Sequence, residues 1–245
     1  MNKPKIFVDY KNNRFINGLI GSQPTEVDIL HAHINKNIYN AYHVLHFDYC
    51  VFNLSSLDNE LVQFISEYAS QIKIFIYFDV QDYTDTGLIN NFKDTIYYLV
   101  PENTYNNYMN YNNVIKINNN LINEHIFHED KDGIKDESIC FFLDLWDSVP
   151  EQLKDKLYPQ TKMKIRMYNN SKIKHSQNLG VLSEADKAYI LNKSSYFINY
   201  NDYYLFEAIN CGCKILDIND VDTEKCITID KAITNYDNFL KEYVL

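Results

Sequence analysis

Short runs of hydrophobic residues alternate with polar segments along the whole chain, and this pattern predicts strands that alternate with helices. A continuous apolar run is typical of a strand that is buried on both faces of a parallel sheet. Strands are predicted at residues 5–9, 27–33, 49–54, 73–79, 95–100, 138–143, 162–168, 196–198 and 214–218, with a weaker one at 226–229. The alternation predicts an α/β fold with parallel sheets.

Apolar residues that recur at the period of a helix mark several of the segments between these strands. Helices are predicted at 35–45, 58–70, 86–94, 184–191, 205–210 and 236–243. Asp58 and Ser183 directly precede two of them and can accept hydrogen bonds from the N–H groups of a first helical turn. The segment 10–26, which contains Gly18 and Gly21, is predicted to be a polar turn.

Composition narrows the classes to which the protein can belong. The chain has 245 residues, of which 46% are hydrophobic, so it can fold around a sizeable core. The formal net charge of −10 argues against non-specific binding to nucleic acid, which needs a basic surface. Because no long apolar run is present and the chain begins directly with a predicted strand, we expect neither a signal peptide nor a membrane span.

The five cysteines are odd in number and lie mostly inside apolar runs, which is typical of reduced core residues in a cytoplasmic protein. Cys211 and Cys213 are too close together for a CxxC metal site, so we expect no metal there. Asp79, Asp82 and Asp85 follow a predicted strand and could hold a divalent cation, but a solvated loop explains them better.

The most informative stretch is YFINYNDYYLFEAINCGCKILD at 196–217. It predicts a strand, a polar loop at 199–203, a helix at 205–210 that Gly212 ends, and a second strand. Glu207 falls in the first helical turn, where a carboxylate complements the helix dipole. The same helix end could instead hold a nucleotide diphosphate, with Glu207 accepting hydrogen bonds from ribose hydroxyls. The spacing alone favours the first interpretation.

This stretch resembles the donor-binding segment of glycosyltransferase family 4, whose members have the GT-B fold of two Rossmann-like domains. The run that carries the resemblance is EAINCGCKIL at 207–216. It implies that Glu207 contacts the ribose of a nucleotide-sugar donor. The family motif has a second Glu eight positions earlier, and this chain has Asn199 there.

The resemblance implies further residues of the donor site. NLGVLS at 178–183 is similar to a glycine-containing turn of the family and adds Gly180. The resemblance also implies that the diphosphate contacts the backbone of Tyr203, Tyr204, Leu205 and Phe206. The family also supplies an Arg and a Lys after the strand at 138–143, whereas this chain has DLWD at 144–147, followed by Lys154 and Lys156.

Two candidate catalytic residues come from the first half of the chain. DILHAH at 28–33 is similar to a family phrase at the carboxyl end of a strand, where open α/β sheets place their ligands, and it contributes His33. VFNL at 51–54 has Asn53 at the position where the family has an active-site His. The resemblance implies that His33 and Asn53 face the donor sugar.

A domain boundary is expected near residue 130. The segment 114–127 resembles the phrase that ends the first domain in this family, and the charged HEDKDGIKDE follows it. We therefore expect a compact N-terminal Rossmann-like domain on the acceptor side at 1–130. A C-terminal Rossmann-like domain that binds the nucleotide sugar is expected at 135–245.

The resemblance implies a hexosyltransferase-type enzyme of polysaccharide biosynthesis that moves a sugar from a nucleotide-sugar donor to a glycan or lipid-linked acceptor. It also implies retention of configuration and no cofactor. A second hypothesis, favoured by Asn199, Asn53 and the missing Arg and Lys, is a non-catalytic GT-B relative that binds or assembles. A sugar-nucleotide epimerase is a third, weaker hypothesis. The sequence leaves open whether the protein associates with a partner subunit or with a membrane surface.

Overall fold

The computed structural model describes residues 3–10, 13–22, 24, 26–32, 46–68, 70–78, 96–157, 164–168, 182–219, 221, 225–229 and 233–243, without the side chains of Ala32, Leu145 and residues 164–168. The chain divides into two compact units. The first unit consists of Met1–Leu121 and Asn235–Leu245, and the second of Ile122–Thr234.

The described elements follow one another as alternating strands and helices. In chain order they are β1 (Lys5–Asp9), α1 (Arg14–Gly21), β2 (Asp28–Ala32), β3 (Tyr49–Asn53), α2 (Asn59–Tyr68), β4 (Lys73–Tyr77), β5 (Ile96–Pro101), α3 (Glu102–Tyr105), β6 (Val114–Ile117), β7 (Leu121–Ile122), β8 (Asp136–Phe142), α4 (Glu151–Leu157), β9 (Lys164–Tyr168), α5 (Glu184–Lys193), β10 (Ser194–Asn199), α6 (Leu205–Asn210), β11 (Lys214–Asp217), β12 (Cys226–Ile227), β13 (Thr234–Asn235) and α7 (Tyr236–Tyr243). Two short 3-10 helices span Leu54–Ser56 and Leu143–Ser148.

The first unit contains a six-stranded sheet in the order β2-β1-β3-β4-β5-β6, and all of its pairings are parallel. Its inner strands β1, β3 and β4 are buried on both faces, whereas the edge strand β2 is largely exposed. In β4, for example, Ile74 packs with Leu61 of α2 on one face, and Phe75 packs with Phe239 of α7 on the other. The continuous apolar runs therefore have the predicted cause, because each face of the sheet has its own hydrophobic core.

Helix α1 corrects the prediction of a polar turn at 10–26. The Asn13 side chain caps the helix by accepting a hydrogen bond from the Ile16 backbone N–H at 2.9 Å, and Phe15 and Leu19 enter the core. Gly18, which the sequence marks as a turn residue, lies inside the helix. A Cβ atom there would overlap the Tyr236 hydroxyl, so the glycine allows α7 to pack closely on α1.

The second unit contains a five-stranded sheet in the order β12-β11-β10-β8-β9, with β8 to β11 parallel and β12 antiparallel to β11. Each face again covers a core. Phe197 of β10 packs with Phe206 of α6 on one face, and Ile198 packs with Trp146 and Leu157 on the other. The two-residue strands β7 and β13 pair with each other.

Helix ends in the second unit follow the local signals in the sequence. Ser183 and Asp186 form a capping box at the start of α5, as the N-cap prediction required. Gly212 ends α6 with a left-handed φ of 76°, and its N–H donates to the Ile209 carbonyl at 2.9 Å. In the first unit, Asp58 caps α2 by accepting from the Leu61 N–H at 2.9 Å.

The α/β class with mostly parallel sheets is confirmed. The helices expected at 35–45 and 86–94, the turn at 178–181 and the aspartates Asp79, Asp82 and Asp85 lie outside the described residues. Among the helices that the structure describes, none combines the length and the apolar character that crossing a bilayer requires.

Candidate functional site

The strand order of the second unit reverses at one place. The chain runs from β8 to β9 on one side and then returns to place β10 on the other side of β8. In open α/β sheets, ligands bind at the carboxyl ends of the two strands that flank such a reversal. A small hollow, with room for little more than a water molecule, lies there, and it is lined by Phe141, Phe142, Phe197, Ile198, Tyr200 and Tyr203. A larger ligand would lie over this hollow, against the half-buried tyrosine rings.

The loop that follows β10 has an unusual backbone. Asn201, Asp202 and Tyr204 adopt left-handed φ values of 55°, 57° and 56°. Asn and Asp tolerate this conformation, but a bulky residue such as Tyr204 is strained in it. Asn199 closes the start of the loop, because its side-chain oxygen accepts from the Asp202 N–H at 3.1 Å and its amide donates to the Asp202 carboxylate at 3.2 Å.

Tyr204 is held by a buried polar cluster. Its hydroxyl donates to Glu184 Oε1 at 2.6 Å and accepts from Lys187 Nζ at 2.7 Å. Burial raises the pKa of Tyr204 well above its ordinary value, and the charges of Tyr203, Glu184 and Glu207 raise it further. The phenol is therefore a neutral hydrogen-bonding group at neutral pH.

Glu207 is the third residue of α6, in the first turn as predicted, and only 2% of its surface is exposed. Its carboxylate is close enough to the Tyr204 hydroxyl to raise the pKa of that group. The side chains of Leu205 and Phe206 are apolar and lie in the core, so the hydrogen-bonding groups that these two residues offer a ligand are those of the backbone. A buried carboxylate thus lies directly after the left-handed loop, at the carboxyl edge of the sheet.

Asn53 lies in the first unit, where the strand order also reverses, between β1 and β3. Its side-chain amide donates to the Asp9 carbonyl at 2.8 Å and to the Asp9 carboxylate at 3.1 Å. Its oxygen accepts from the Asn13 amide at 3.1 Å. Asn53 is 2% exposed and Asp9 1%, so these residues form a buried polar cluster. Asp9 and Asn13 were not predicted; their position at the end of a strand and in the loop after it was the available signal.

His33 and Gly180 lie outside the described residues. The other donor-site residues lie close together in the chain: Asn199 ends β10, Tyr203 and Tyr204 lie in the loop that follows, and Leu205, Phe206 and Glu207 form the first turn of α6. His31, the neighbouring histidine on β2, is exposed, and its ring centroid lies 5.9 Å from that of Tyr10.

The segment DLWD at 144–147 forms the 3-10 helix after β8. The two lysines beyond it already have partners. Lys154 pairs with Glu151 at 2.7 Å and lies over the Trp146 ring, and Lys156 donates to the Asn219 carbonyl at 2.6 Å. A phosphate group would have to compete with these contacts.

The structure brings no metal-binding cluster of three or more His, Cys, Asp or Glu side chains together within the described ranges. Burial raises the pKa of Cys211 to about 12 and that of Cys213 to about 11. Both thiols therefore stay protonated at neutral pH, and they are poor nucleophiles and poor metal ligands. The Cys213 thiol also lies 3.1 Å from the Leu191 carbonyl.

Compared with known proteins, the chain matches no protein-family model and no curated protein.

Proposed function

We propose that the protein is a glycosyltransferase of the GT-B type that takes its sugar from a nucleotide-sugar donor and transfers it to a glycan or lipid-linked acceptor. One observation carries the proposal: Glu207 is buried in the first turn of α6, at the carboxyl edge of the second unit's sheet. That edge flanks the strand-order reversal, where α/β sheets bind nucleotides. The resemblance of 207–216 to a donor-binding segment concerns the same residues.

We assign roles to the donor-site residues from their position and from the family resemblance. Glu207 accepts hydrogen bonds from the ribose hydroxyls, and a carboxylate is suited to this because it has only acceptor atoms. The backbone from Tyr203 to Phe206 faces the diphosphate. Tyr200 and Tyr203, which line the hollow, offer rings on which a nucleobase can stack. In the first unit, His33 and Asn53 are the residues that the family resemblance assigns to the sugar, and transfer is with retention.

A second candidate function is that of a non-catalytic nucleotide-sugar-binding or assembly subunit. The observation that favours it is that Asn53 and Asn199, which stand where the family motif has other residues, are already hydrogen-bonded within the protein. Asn53 is held on both its amide and its oxygen by Asp9 and Asn13, and Asn199 is held by Asp202. Side chains that are already hydrogen-bonded within the protein have less capacity to contact a reacting sugar.

Nucleotide release from UDP-sugars and GDP-sugars tests the enzymatic proposal, measured with and without short glycan acceptors. The purified protein is compared with Glu207→Gln, which keeps the side-chain shape, and with Glu151→Gln as control, because Glu151 is 84% exposed in its side chain. We expect release by the wild type and the control and a loss of at least about tenfold in Glu207→Gln. Donor binding without release would favour the second candidate, and release unaffected by Glu207→Gln would refute the assigned site.

A further inference from the structure

A buried cation lies behind the candidate donor site, and the roles proposed above do not use it. Lys187 of α5 is 4% exposed, and its Nζ donates to the Tyr204 hydroxyl at 2.7 Å and to Glu184 Oε1 at 3.1 Å. The Tyr204 hydroxyl donates to the same Glu184 oxygen. The ammonium also lies 4.2 Å from the centre of the Tyr204 ring and 5.8 Å from that of Phe142. All four contacts converge on a single charge.

Stability alone is a weak reason for such an arrangement. A buried ion pair must overcome the desolvation of both charges, and well-packed apolar residues are often as stable in its place. What a buried polar cluster does reliably is fix the geometry of the groups that it joins. The geometry fixed here is that of Tyr204.

Tyr204 needs fixing because it is a bulky residue in the left-handed conformation, at φ 56°, and its side chain does not cap α6. A conformation of this kind persists only where the surrounding structure enforces it. The ring packs edge-on against Phe142 and Phe127, with centroids 5.1 Å and 5.9 Å apart. The hydroxyl is anchored at the far end of the ring by Lys187 and Glu184, so the residue is held at both ends.

The conformation of Tyr204 sets the loop and the helix that flank it. Tyr204 is the last residue before α6, and its carbonyl accepts a hydrogen bond from the Ala208 N–H at 3.0 Å. This hydrogen bond closes the first turn of α6, which carries Glu207. On its other side lie Tyr200 and Tyr203, which line the hollow. A rotation of Tyr204 out of the left-handed region would move Glu207 relative to these rings.

We propose that Lys187 is a positioning residue of the donor site: through the Tyr204 hydroxyl it holds the loop at 200–204 in the conformation that binds ligand. The part of this proposal that concerns ligand binding rests on the proposed function, with a nucleoside diphosphate as the ligand. The part that concerns the conformation of the loop rests on the contacts of Lys187 alone. The two parts are measured separately.

Hydrogen exchange in Lys187→Met tests whether Lys187 holds the conformation of the loop. This substitution replaces the ammonium by an apolar group of similar length. The informative amides are those of Asp202, which donates to the Asn199 side chain, and Tyr203, which donates to the Tyr200 carbonyl at 3.3 Å. We expect their exchange to be faster by about tenfold in the variant, with amides of β8 and β10 unchanged. Lys193→Met, on the last turn of the same helix, is the matched control and should exchange like the wild type.

Equal exchange of these loop amides in a folded Lys187→Met would overturn the proposal. If that variant does not fold, Tyr204→Phe serves instead, since it keeps the Lys187 to Glu184 pair and removes only the hydroxyl that links it to the loop. The same faster exchange is expected in Tyr204→Phe, and unchanged exchange there would equally overturn the proposal.

Ligand affinity then separates a positioning role from a merely structural one. If Lys187 positions the loop, the Kd for UDP or GDP rises by the same factor by which the closed fraction of the loop falls in Lys187→Met. Loop opening without a matching rise in Kd would overturn the positioning role. If the wild type binds neither nucleotide, the proposed function fails, and the exchange measurement still decides whether Lys187 holds the loop.

Discussion

Gly18→Ala is the substitution whose effect the structure defines most sharply. In an exposed helix this change would stabilise the protein, because alanine favours a helix over glycine by about 1 kcal/mol. Here the added Cβ would overlap the hydroxyl and ring of Tyr236, which is 3% exposed. Since Gly18 itself lies within α1, either the Tyr236 ring or the whole of α7 must move.

The cost follows from what Tyr236 would lose. Its hydroxyl donates to the Phe15 carbonyl at 3.2 Å, which is a buried hydrogen bond of about 1 kcal/mol. Its ring lies 5.9 Å from that of Phe15, and such a contact contributes about 1 kcal/mol. Overpacking a core adds about 1–3 kcal/mol of strain. After the helix-propensity gain, we expect a net destabilisation of about 2–4 kcal/mol.

Urea unfolding of the wild type, Gly18→Ala and Gly133→Ala measures this effect. Gly133→Ala is the control, because the atoms nearest to its added Cβ belong to the exposed Asp130 side chain, which can turn away. Tyr236→Leu removes the obstructing ring, so Gly18→Ala should cost much less in that background. The reasoning is refuted if Gly18→Ala is as stable as the wild type, or if its cost is the same in both backgrounds.

Three further predictions concern single residues of the second unit. Lys135→Met should destabilise it by about 2–3 kcal/mol in urea unfolding, because the ammonium donates to the carbonyls of Leu191, Ser194 and Cys211, and a variant of unchanged stability would contradict this. Gly212→Ala should cost about 1–2 kcal/mol in thermal unfolding, since its φ is 76° and the new Cβ meets Glu129; a stabilised variant would show that the left-handed strain is absent. Hydrogen bonds from the Ser183 hydroxyl and backbone N–H lower the pKa of Asp186, so the contribution of this carboxylate to stability is present above the ordinary carboxyl pKa and is lost as the pH falls through the lowered value. Ser183→Ala removes only the hydroxyl bond, so NMR titration of this variant should find the pKa of Asp186 raised part of the way towards its ordinary value, and an unchanged pKa would refute the side-chain capping interaction.

Features set by neighbouring residues could be predicted from the sequence. The caps at Asp58 and Ser183 and the stop at Gly212 involve partners three residues away or fewer, and the structure confirms all three. The strand at Lys5–Asp9 and the helix at Leu205–Asn210 were predicted with the same bounds, because each is a clear run or period.

Features set by distant residues could not be predicted. Helix α1 was missed because Gly18 signals a turn locally, and its reason lies with Tyr236 at the other end of the chain. The contacts of Asn53 with Asp9 depend on the order of β1 and β3 in the sheet, which no local pattern encodes. In the sequence, Lys187 cannot be distinguished from an exposed lysine of a helix. Its burial depends on the contact with Tyr204, which only the folded structure shows.

Calorimetric titration of the wild type, Glu207→Gln and Glu151→Gln with UDP and with GDP tests the central claim most directly. We predict that the wild type binds one of the two nucleotides and that Glu151→Gln binds the same nucleotide with the affinity of the wild type. Glu207→Gln should bind it at least about tenfold more weakly, because a ribose hydroxyl loses a charged hydrogen-bond acceptor. Failure of the wild type to bind either nucleotide, or equal binding by Glu207→Gln, would contradict the assignment of the donor site to the loop and helix after β10.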